Sequence, residues 1–222
     1  MNVLTVNYNT KTLTNAFIRS VRKHTDCKVY VFDNSDREPF TTDEDVEVID
    51  NTGGQFVDWD LWLDSFPDKY PNPSNGYGSA KHCKSVQVCM GLIADGFILA
   101  DPDILVKRDL SDLWDEEYVW VGEISYDEGH FISVPRLLPY LCYINVPLCH
   151  RLGIGYFNGE YMWKLTRRNP NRFYDTGAWF LESSLQYPHK EIAINGYMTH
   201  LGSGSWKNDG KRWLDANKSL WA

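Results

Sequence analysis

The strongest constraint on the fold is a strand, a helix and a second strand that follow one another at the start of the chain. Residues 3–6 and 29–32 are short apolar runs of strand type. Between them, apolar residues recur at helical spacing over residues 13–21, and Thr10 or Thr12 is placed to cap the helix. Units of this size wind right-handed into parallel sheets, so the sequence predicts an α/β fold.

The α/β pattern continues to about the middle of the chain. Residues 46–49 and 97–100 predict two more strands, and apolar positions from Cys83 to Ile93 predict a helix. Residues 66–79 hold three prolines, two glycines and two asparagines, a composition that predicts a long loop. These elements favour one domain in which a mixed, mostly parallel sheet is flanked by helices.

The second half of the chain is less regular. Residues 118–124 and 131–134 have the composition of strands. Residues 174–186 include a helical stretch that is predicted to open near Asp175 or Thr176. The sequence has no internal repeat and no low-complexity tract, so we expect this half to complete the same domain.

The charge and cysteine content of the chain limit the binding partners and the cellular compartment that the sequence predicts. The chain has 22 Lys and Arg against 30 Asp and Glu, a formal charge of −8, which disfavours a nucleic-acid surface because such binding depends mainly on neutralising phosphates. No segment approaches the roughly 18 apolar residues of a membrane span, and no signal-peptide pattern opens the sequence. The five cysteines form no CxxC pair. We therefore expect buried thiols in a reducing, cytoplasmic environment.

Polar residues follow three of the predicted strands at the point where each ends. They are Asn7, Tyr8, Asn9 and Thr10 after the first strand, Asp33 and Asn34 after the second, and Asp101 and Asp103 after the strand at 97–100. Asp and Asn are common in ordinary turns, which is the simpler explanation for any one strand. In open α/β sheets, however, the carboxyl ends of the strands line the ligand crevice.

The Asp-Pro-Asp segment is the sharpest of these features. Pro102 pushes Asp101 into an extended conformation, and alternate residues of an extended segment point the same way. Asp101 and Asp103 would then repel each other unless a cation lies between them. Mg²⁺ and Mn²⁺ prefer oxygen ligands, so either ion would suit this pair.

A second chemistry-bearing segment lies near the end of the sequence. Residues 197–207 contain His200, two glycines, two serines, Trp206 and Lys207. A neutral imidazole can complete a metal's ligands, glycines let backbone approach phosphate oxygens, and Lys is a compact cationic donor. A glycine-rich loop with a hydrogen-bonded histidine is the alternative interpretation.

Together these segments resemble the GT-A-fold, nucleotide-sugar-dependent glycosyltransferases. Residues 6–10 (VNYNT) and 31–35 (VFDNS) are similar to the first two strands of glycosyltransferase family 2. Residues 97–114 (FILADPDILVKRDLSDLW) resemble the DxD strand and following helix, especially those of family 8. Residues 200–207 (HLGSGSWK) are similar to the loop that carries the metal-binding His and phosphate-binding Lys of those enzymes.

The resemblance implies a Rossmann-like, GT-A-like domain with two functional halves. Residues 1–115 would form the nucleotide-sugar-binding half with the DxD motif, and residues 116–222 the acceptor half with the C-terminal metal and phosphate loop. The metal, Mn²⁺ or Mg²⁺, would be held by Asp101, Asp103 and His200. The donor would meet Asn7, Tyr8, Asn9, Thr10, Asp33, Asn34, Lys81, Asp101, Trp206 and Lys207.

The catalytic base is predicted at Asp175, because family-2 enzymes that invert the sugar carry a carboxylate at a comparable helix start. The alternative is a structural cap, since Asp often satisfies the backbone donors of a helix N-terminus. Asp127 and Glu128 are the fallback carboxylates. The mixture of family-2 and family-8 features leaves inversion and retention both open.

The sequence therefore predicts a metal-dependent glycosyltransferase that moves a sugar from a nucleotide-sugar donor, UDP-linked, to a hydroxyl. The acceptor is a glycan, a lipid-linked sugar, a protein or a modified DNA base; the acidity disfavours the last. One alternative is a nucleotidyltransferase, although residues 7–11 lack the glycine-rich basic loop such enzymes carry after the first strand. Another is a non-catalytic sugar- or nucleotide-binding module, which would account for the 32 aromatic residues (9 Trp, 13 Tyr, 10 Phe).

Overall fold

The computed structural model describes residues 1–59, 73–126, 135–159, 175–202 and 210–222. Its strands are β1 Asn2–Asn7, β2 Lys28–Asp33, β3 Glu47–Asp50, β4 Phe97–Ala100, β5 Ile104–Val106, β6 Trp120–Gly122, β7 Ile124–Ser125, β8 Arg136–Leu137, β9 Leu141–Ile144, β10 Lys190–Glu191 and β11 Met198–His200. Its helices are α1 Lys11–His24, α2 Pro73–Leu92, α3 Val146–Leu152, α4 Ala178–Ser184 and α5 Gly210–Ala216. Within these ranges, no helix has the length and apolar character needed to cross a bilayer.

A mixed sheet forms the centre of the molecule. In the described part of the chain it has seven strands in the order β10-β6-β9-β4-β1-β2-β3. Neighbouring strands are parallel except at β9, which runs antiparallel to both β4 and β6. Because strands from both halves of the chain join this one sheet, the structure confirms the predicted single α/β domain with a mostly parallel sheet.

The first strand–helix–strand unit forms as predicted. β1 and β2 are parallel neighbours, with Asn7 opposite Asp33 at their ends. α1 buries an apolar stripe that includes Phe17 and Val21. Thr10 is the N-cap residue, but its side chain makes no cap hydrogen bond and instead donates to Asn7 Oδ1 at 3.0 Å. The predicted capping position at Thr10 is therefore confirmed, although the hydroxyl belongs to the polar network at the strand end.

The helix before β4 is longer than the sequence predicts. α2 begins at Pro73, so residues 73–79 are helical rather than part of a loop, and residues 66–72 lie outside the described residues. Proline suits the first turn of a helix because the N–H it lacks has no partner there. The predicted apolar stripe is correct, since Cys83 and Met90 are fully buried.

The second half of the chain supplies the antiparallel strand. β6 lies inside the strand predicted at residues 118–124, whereas the strand predicted at 131–134 lies outside the described residues. β9 is an unpredicted strand whose four residues are buried between β4 and β6. α4 has Gly177 at its N-cap, two residues beyond Asp175. Asp175 is therefore not the capping residue of this helix.

All five cysteines are buried, and none forms a disulfide. Burial raises the pKa of Cys27 to about 11 and that of Cys149 to about 12. A thiol with so high a pKa stays protonated and unreactive at neutral pH, so the cysteines serve as small apolar residues.

Candidate active site

Buried polar side chains join the carboxyl ends of β1 and β2. Asn7 Nδ2 donates to Asp33 Oδ1 at 2.8 Å and to Ser35 Oγ at 2.9 Å. Asp33 is 1% exposed, and its Oδ2 accepts the backbone N–H of Phe40 at 2.7 Å. Both carboxylate oxygens are thus engaged by protein donors, so this pair holds the two loops together at the mouth of the sheet.

Asn34 extends the network to the elements beside β2. Its Nδ2 donates to Ser85 Oγ on α2 at 2.7 Å. Its Oδ1 accepts from Trp59 Nε1 at 3.2 Å and from Asn51 Nδ2 at 3.0 Å. Asn34 therefore fixes the position of the Trp59 ring and of α2 relative to the end of β2.

Lys81 places an ammonium group between two aromatic rings at this mouth. Its Nζ lies 5.7 Å from the centroid of the Tyr8 ring and 5.4 Å from that of the Trp59 ring. Tyr8 is 47% exposed, and its hydroxyl donates to Asp36 Oδ2 at 2.7 Å, a bond that raises the pKa of Tyr8. Asn9 Nδ2 donates to the other oxygen of Asp36 at 2.6 Å. Aromatic faces can stack on a base, while an ammonium can donate to phosphate.

The two carboxylates of the Asp-Pro-Asp segment face different partners. Asp103 is 6% exposed, and its Oδ1 lies 3.3 Å from His200 Nε2. Asp101 Oδ1 lies 3.3 Å from His82 Nε2, on α2. The described residues contain no group of three His, Cys, Asp or Glu side chains arranged to hold a metal ion. One carboxylate thus meets the late histidine while the other faces α2.

Strand pairing brings His200 back to Asp103 from about a hundred residues away. β11 runs antiparallel to β5, and the backbone N–H of Leu201 donates to the Asp103 carbonyl at 3.0 Å. The ring of Tyr140 stacks on the imidazole with 4.3 Å between centroids. The Tyr140 carbonyl also accepts the backbone N–H of Asp101 at 3.2 Å. Backbone and ring contacts therefore fix the imidazole beside the Asp-Pro-Asp segment.

The charge of this segment acts on His200. Burial by itself lowers the pKa of His200, but the hydrogen bond from the ring to Asp103 and the charges of Asp103 and Asp101 outweigh burial and the charge of Arg136. The net effect raises the pKa above the ordinary value of 6.5.

We therefore expect an NMR pH titration of the metal-free protein to give His200 a pKa above 6.5. Because the folded pKa exceeds the unfolded one, protonated His200 contributes its full stability below the unfolded pKa and loses it as the pH rises through the folded value. Asp103→Asn should move the titration to lower pH. A wild-type pKa at or below the ordinary value would contradict this geometry.

Asp175 forms a second charged cluster with Arg136. Tyr140 contacts both this cluster and His200. Arg136 Nη1 lies 2.8 Å from Asp175 Oδ2, and Arg136 Nη2 donates to the Tyr140 hydroxyl at 3.2 Å. Ser79 Oγ and the Thr176 backbone N–H donate to Asp175 Oδ1 at 3.2 and 2.8 Å. Both oxygens of the predicted base already accept hydrogen bonds, so an acceptor hydroxyl would have to replace one of these donors.

Comparison with known proteins establishes the fold. No protein-family model matches the sequence, and no curated protein matches it. The galactosyltransferase LgtC, solved in complex with donor and acceptor sugar analogs, matches with a TM-score of 0.55 and 13% identity over 87% of this chain and 74% of that chain. An active-site mutant of LgtC gives a TM-score of 0.54 with 14% identity over 87% and 73% of the two chains. The fold is GT-A-like.

A third solved structure, apo mouse xyloside xylosyltransferase 1, matches with a TM-score of 0.49 and 11% identity over 87% of this chain and 86% of that chain. The LgtC likeness confirms the predicted GT-A-like fold. At such low identity it does not establish the chemistry, which has to be argued from the side chains at the mouth of the sheet.

Some predicted site residues of this GT-A-like chain lie outside the described residues. They are Trp206 and Lys207 of the C-terminal loop and the fallback carboxylates Asp127 and Glu128. Conversely, the structure brings His82, Arg136 and Tyr140 to the site, none of which the sequence predicts. His82 directly follows Lys81, a predicted donor-binding residue, and this position in the sequence is a signal for it. Arg136 and Tyr140 lie in a segment with no recognised motif.

A cavity elsewhere on the GT-A-like domain is a poorer candidate for a nucleotide. It measures about 550 Å³, and its lining includes Asn15 and Trp221 but none of the site residues above. Its basic residues are already paired with carboxylates, Lys11 with Glu38 at 3.4 Å and Arg19 with Glu44 at 3.0 Å. The strand ends, which combine carboxylates, an imidazole and Lys81, offer the better chemistry for a diphosphate.

Proposed function

We propose that the protein is a metal-dependent glycosyltransferase that moves one sugar from a UDP-linked donor to an acceptor hydroxyl. The observation that carries this proposal is the contact of Asp103 with His200 beside Asp101, at the carboxyl edge of a GT-A-like sheet. A carboxylate in contact with an imidazole, with a second carboxylate two residues away in the sequence, suits a divalent cation, and a cation at this edge suits a diphosphate.

We assign Asp101, Asp103 and His200 to a Mn²⁺ or Mg²⁺ ion. The donor types fit, because hard divalent ions prefer carboxylate oxygens and Mn²⁺ also accepts imidazole. The 3.3 Å between Asp103 Oδ1 and His200 Nε2 is close to the ~3 Å between adjacent ligands of one octahedral ion. When bound, the ion supplies positive charge that neutralises the departing nucleoside diphosphate.

We assign the donor to the residues around the Lys81 ammonium. The rings of Tyr8 and Trp59 would stack on the base, and Lys81 would donate to the diphosphate. Asn9 and Thr10 offer polar groups at the same mouth. Behind them, hydrogen bonds hold the loops through Asn7, Asp33 and Asn34. Beyond the described residues, Trp206 and Lys207 are proposed to complete the phosphate and sugar contacts.

We propose Asp175 as the base that takes the proton of the acceptor hydroxyl. Ser79 Oγ now donates to Asp175 Oδ1 at 3.2 Å, in the way that an acceptor hydroxyl would. Exchange of one hydroxyl for the other preserves the number of hydrogen bonds to the carboxylate. Arg136 keeps the opposite oxygen in place at 2.8 Å during this exchange.

We propose that residues 1–115 bind the nucleotide-sugar donor and that residues 116–222 bind the acceptor. The acceptor class is a glycan, a lipid-linked sugar or a protein hydroxyl. A modified DNA base is disfavoured by the net charge of −8. Five buried cysteines that form no disulfide support a reducing compartment, the cytoplasm.

A panel of nucleotide sugars tests the proposal. In the absence of an acceptor, we expect slow hydrolysis of one UDP-sugar that requires Mn²⁺ and stops with EDTA. Synthesis of a nucleotide sugar from UTP and a sugar phosphate would instead identify a nucleotidyltransferase. Glycan binding that needs no metal, without turnover of any donor, would identify a binding module.

Lys81→Ala is expected to weaken UDP binding about 10-fold, because a charge-assisted hydrogen bond to phosphate is lost. Lys84→Ala is the matched control, since Lys84 lies on the same helix but its Nζ sits over the ring of Phe157, 5.7 Å from the centroid. Calorimetry with UDP in saturating Mn²⁺ measures both. Equal affinity in the two variants would remove Lys81 from the donor site.

A further inference from the structure

His82 is a half-buried polar side chain for which the proposed reaction has no role yet. Its side chain is 16% exposed, and both ring nitrogens are shielded from solvent. Within the described residues neither nitrogen has a partner in hydrogen-bond geometry. A shielded imidazole without such a partner is costly, and groups of this kind in native proteins often serve a site.

The charged group beside the ring is Asp101. His82 Nε2 lies 3.3 Å from Asp101 Oδ1, within ion-pair distance. The contact engages the Oδ1 atom of this carboxylate. On the other side, the backbone N–H of Asp101 is held by the Tyr140 carbonyl at 3.2 Å. The first carboxylate of the Asp-Pro-Asp segment is thus flanked by a fixed backbone and a histidine.

The position of His82 on α2 links the two parts of the site. The preceding residue, Lys81, reaches the rings of Tyr8 and Trp59, while His82 reaches Asp101. The following residue, Cys83, is fully buried in the core and anchors this turn of the helix. One rigid helical turn therefore carries both the proposed phosphate-binding cation and a partner for the proposed metal ligand.

We propose that His82 is a positioning residue whose Nε2–H closes into a hydrogen bond with Asp101 Oδ1, now 3.3 Å away and outside hydrogen-bond geometry, when the divalent cation binds, and so orients this carboxylate. The proposal rests on the glycosyltransferase function above. Outer hydrogen bonds of this kind fix the orientation of ligating side chains, and their loss commonly costs about 10- to 100-fold in metal affinity. A ring that only filled space on α2 would have no effect on the cation.

Three variants separate these roles. His82→Leu keeps the bulk of the ring but loses the donor, and His82→Gln retains an N–H near the position of Nε2. His24→Leu is the matched control, because His24 also carries a shielded Nε2 without a hydrogen-bond partner among the described residues, but at the far end of α1. Each protein is titrated with Mn²⁺ in the presence of UDP, and the free ion is followed by electron paramagnetic resonance.

We expect His82→Leu to weaken Mn²⁺ binding at least about 10-fold, with His82→Gln within about 3-fold of wild type and His24→Leu unchanged. Wild-type affinity in a folded His82→Leu protein would overturn the proposal, and so would a loss in His82→Gln as large as that in His82→Leu. If the wild-type protein itself binds no Mn²⁺, this result contradicts the proposed metal-dependent function and the proposed role of His82 together.

A measurement on the unaltered protein tests the same claim should His82→Leu fail to fold. Nitrogen-detected NMR of the histidine rings, without metal, reports which nitrogen carries the proton. We expect the Nε2–H form at His82. A ring with its proton on Nδ1 alone would overturn the proposal, since its Nε2 then has no hydrogen to donate.

Discussion

Asp103→Asn is expected to lower Mn²⁺-dependent hydrolysis of the sugar donor at least about 100-fold, the scale typical for removing one electrostatic contact of a transition state. Asp103 is 6% exposed and, of the two carboxylates in the Asp-Pro-Asp segment, is the one that lies 3.3 Å from His200. Asn has the same shape and can still accept a hydrogen bond from the imidazole. The substitution therefore removes negative charge with little change of packing.

Asp95→Asn is the matched control for that variant. Asp95 is exposed and precedes β4, whereas Asp101 and Asp103 follow it, so the control removes the same charge at the opposite end of the strand. Circular dichroism and thermal unfolding establish that both variants fold. Full Mn²⁺-dependent hydrolysis by folded Asp103→Asn would remove Asp103 from the proposed metal site.

Gly177→Ala is expected to cost about 3 kcal/mol or more in the free energy of unfolding, from a left-handed backbone together with a steric clash. Gly177 has φ +85°, and a Cβ there would lie 2.1 Å from the Leu137 carbonyl oxygen. That carbonyl is backbone of β8, so it cannot rotate away as a side chain would. The same approach of α4 to β8 places Asp175 beside Arg136.

Gly196→Ala is the comparison for Gly177→Ala, because a Cβ at Gly196 would meet nothing within 4 Å and its φ is not positive. Its free energy of unfolding should change by less than about 0.5 kcal/mol. Chemical denaturation of the two variants beside the wild type measures both effects. Equal stability of Gly177→Ala and wild type would contradict the close packing of α4 on β8.

The parts of the fold that the sequence predicts are those with strong local patterns. Apolar runs and helical spacing identify β1, α1, β2 and β4, because each buries a continuous apolar face. β9 escapes prediction because a four-residue apolar run is equally typical of a helix segment, and its antiparallel position depends on neighbours distant in the chain. The early start of α2 escapes because Pro, Gly and Asn favour loops locally.

The candidate site also contains some residues that the sequence predicts and others that it does not. Asp101 and Asp103 follow a buried strand and carry a recognisable spacing, and the family resemblance adds His200. Arg136 and Tyr140 carry no local signal, since their importance comes from contacts with Asp175 and His200 that only the folded chain creates. Side chains that act through distant partners are those that sequence patterns miss.

Calorimetric titration with UDP, with and without Mn²⁺, tests most directly whether Asp103 and His200 hold a cation for a nucleoside diphosphate. The account predicts tight binding in the presence of Mn²⁺ and at least about 10-fold weaker binding in EDTA, with the difference lost in Asp103→Asn. Binding of UDP with the same affinity in EDTA, or no binding of UDP under either condition, would contradict it.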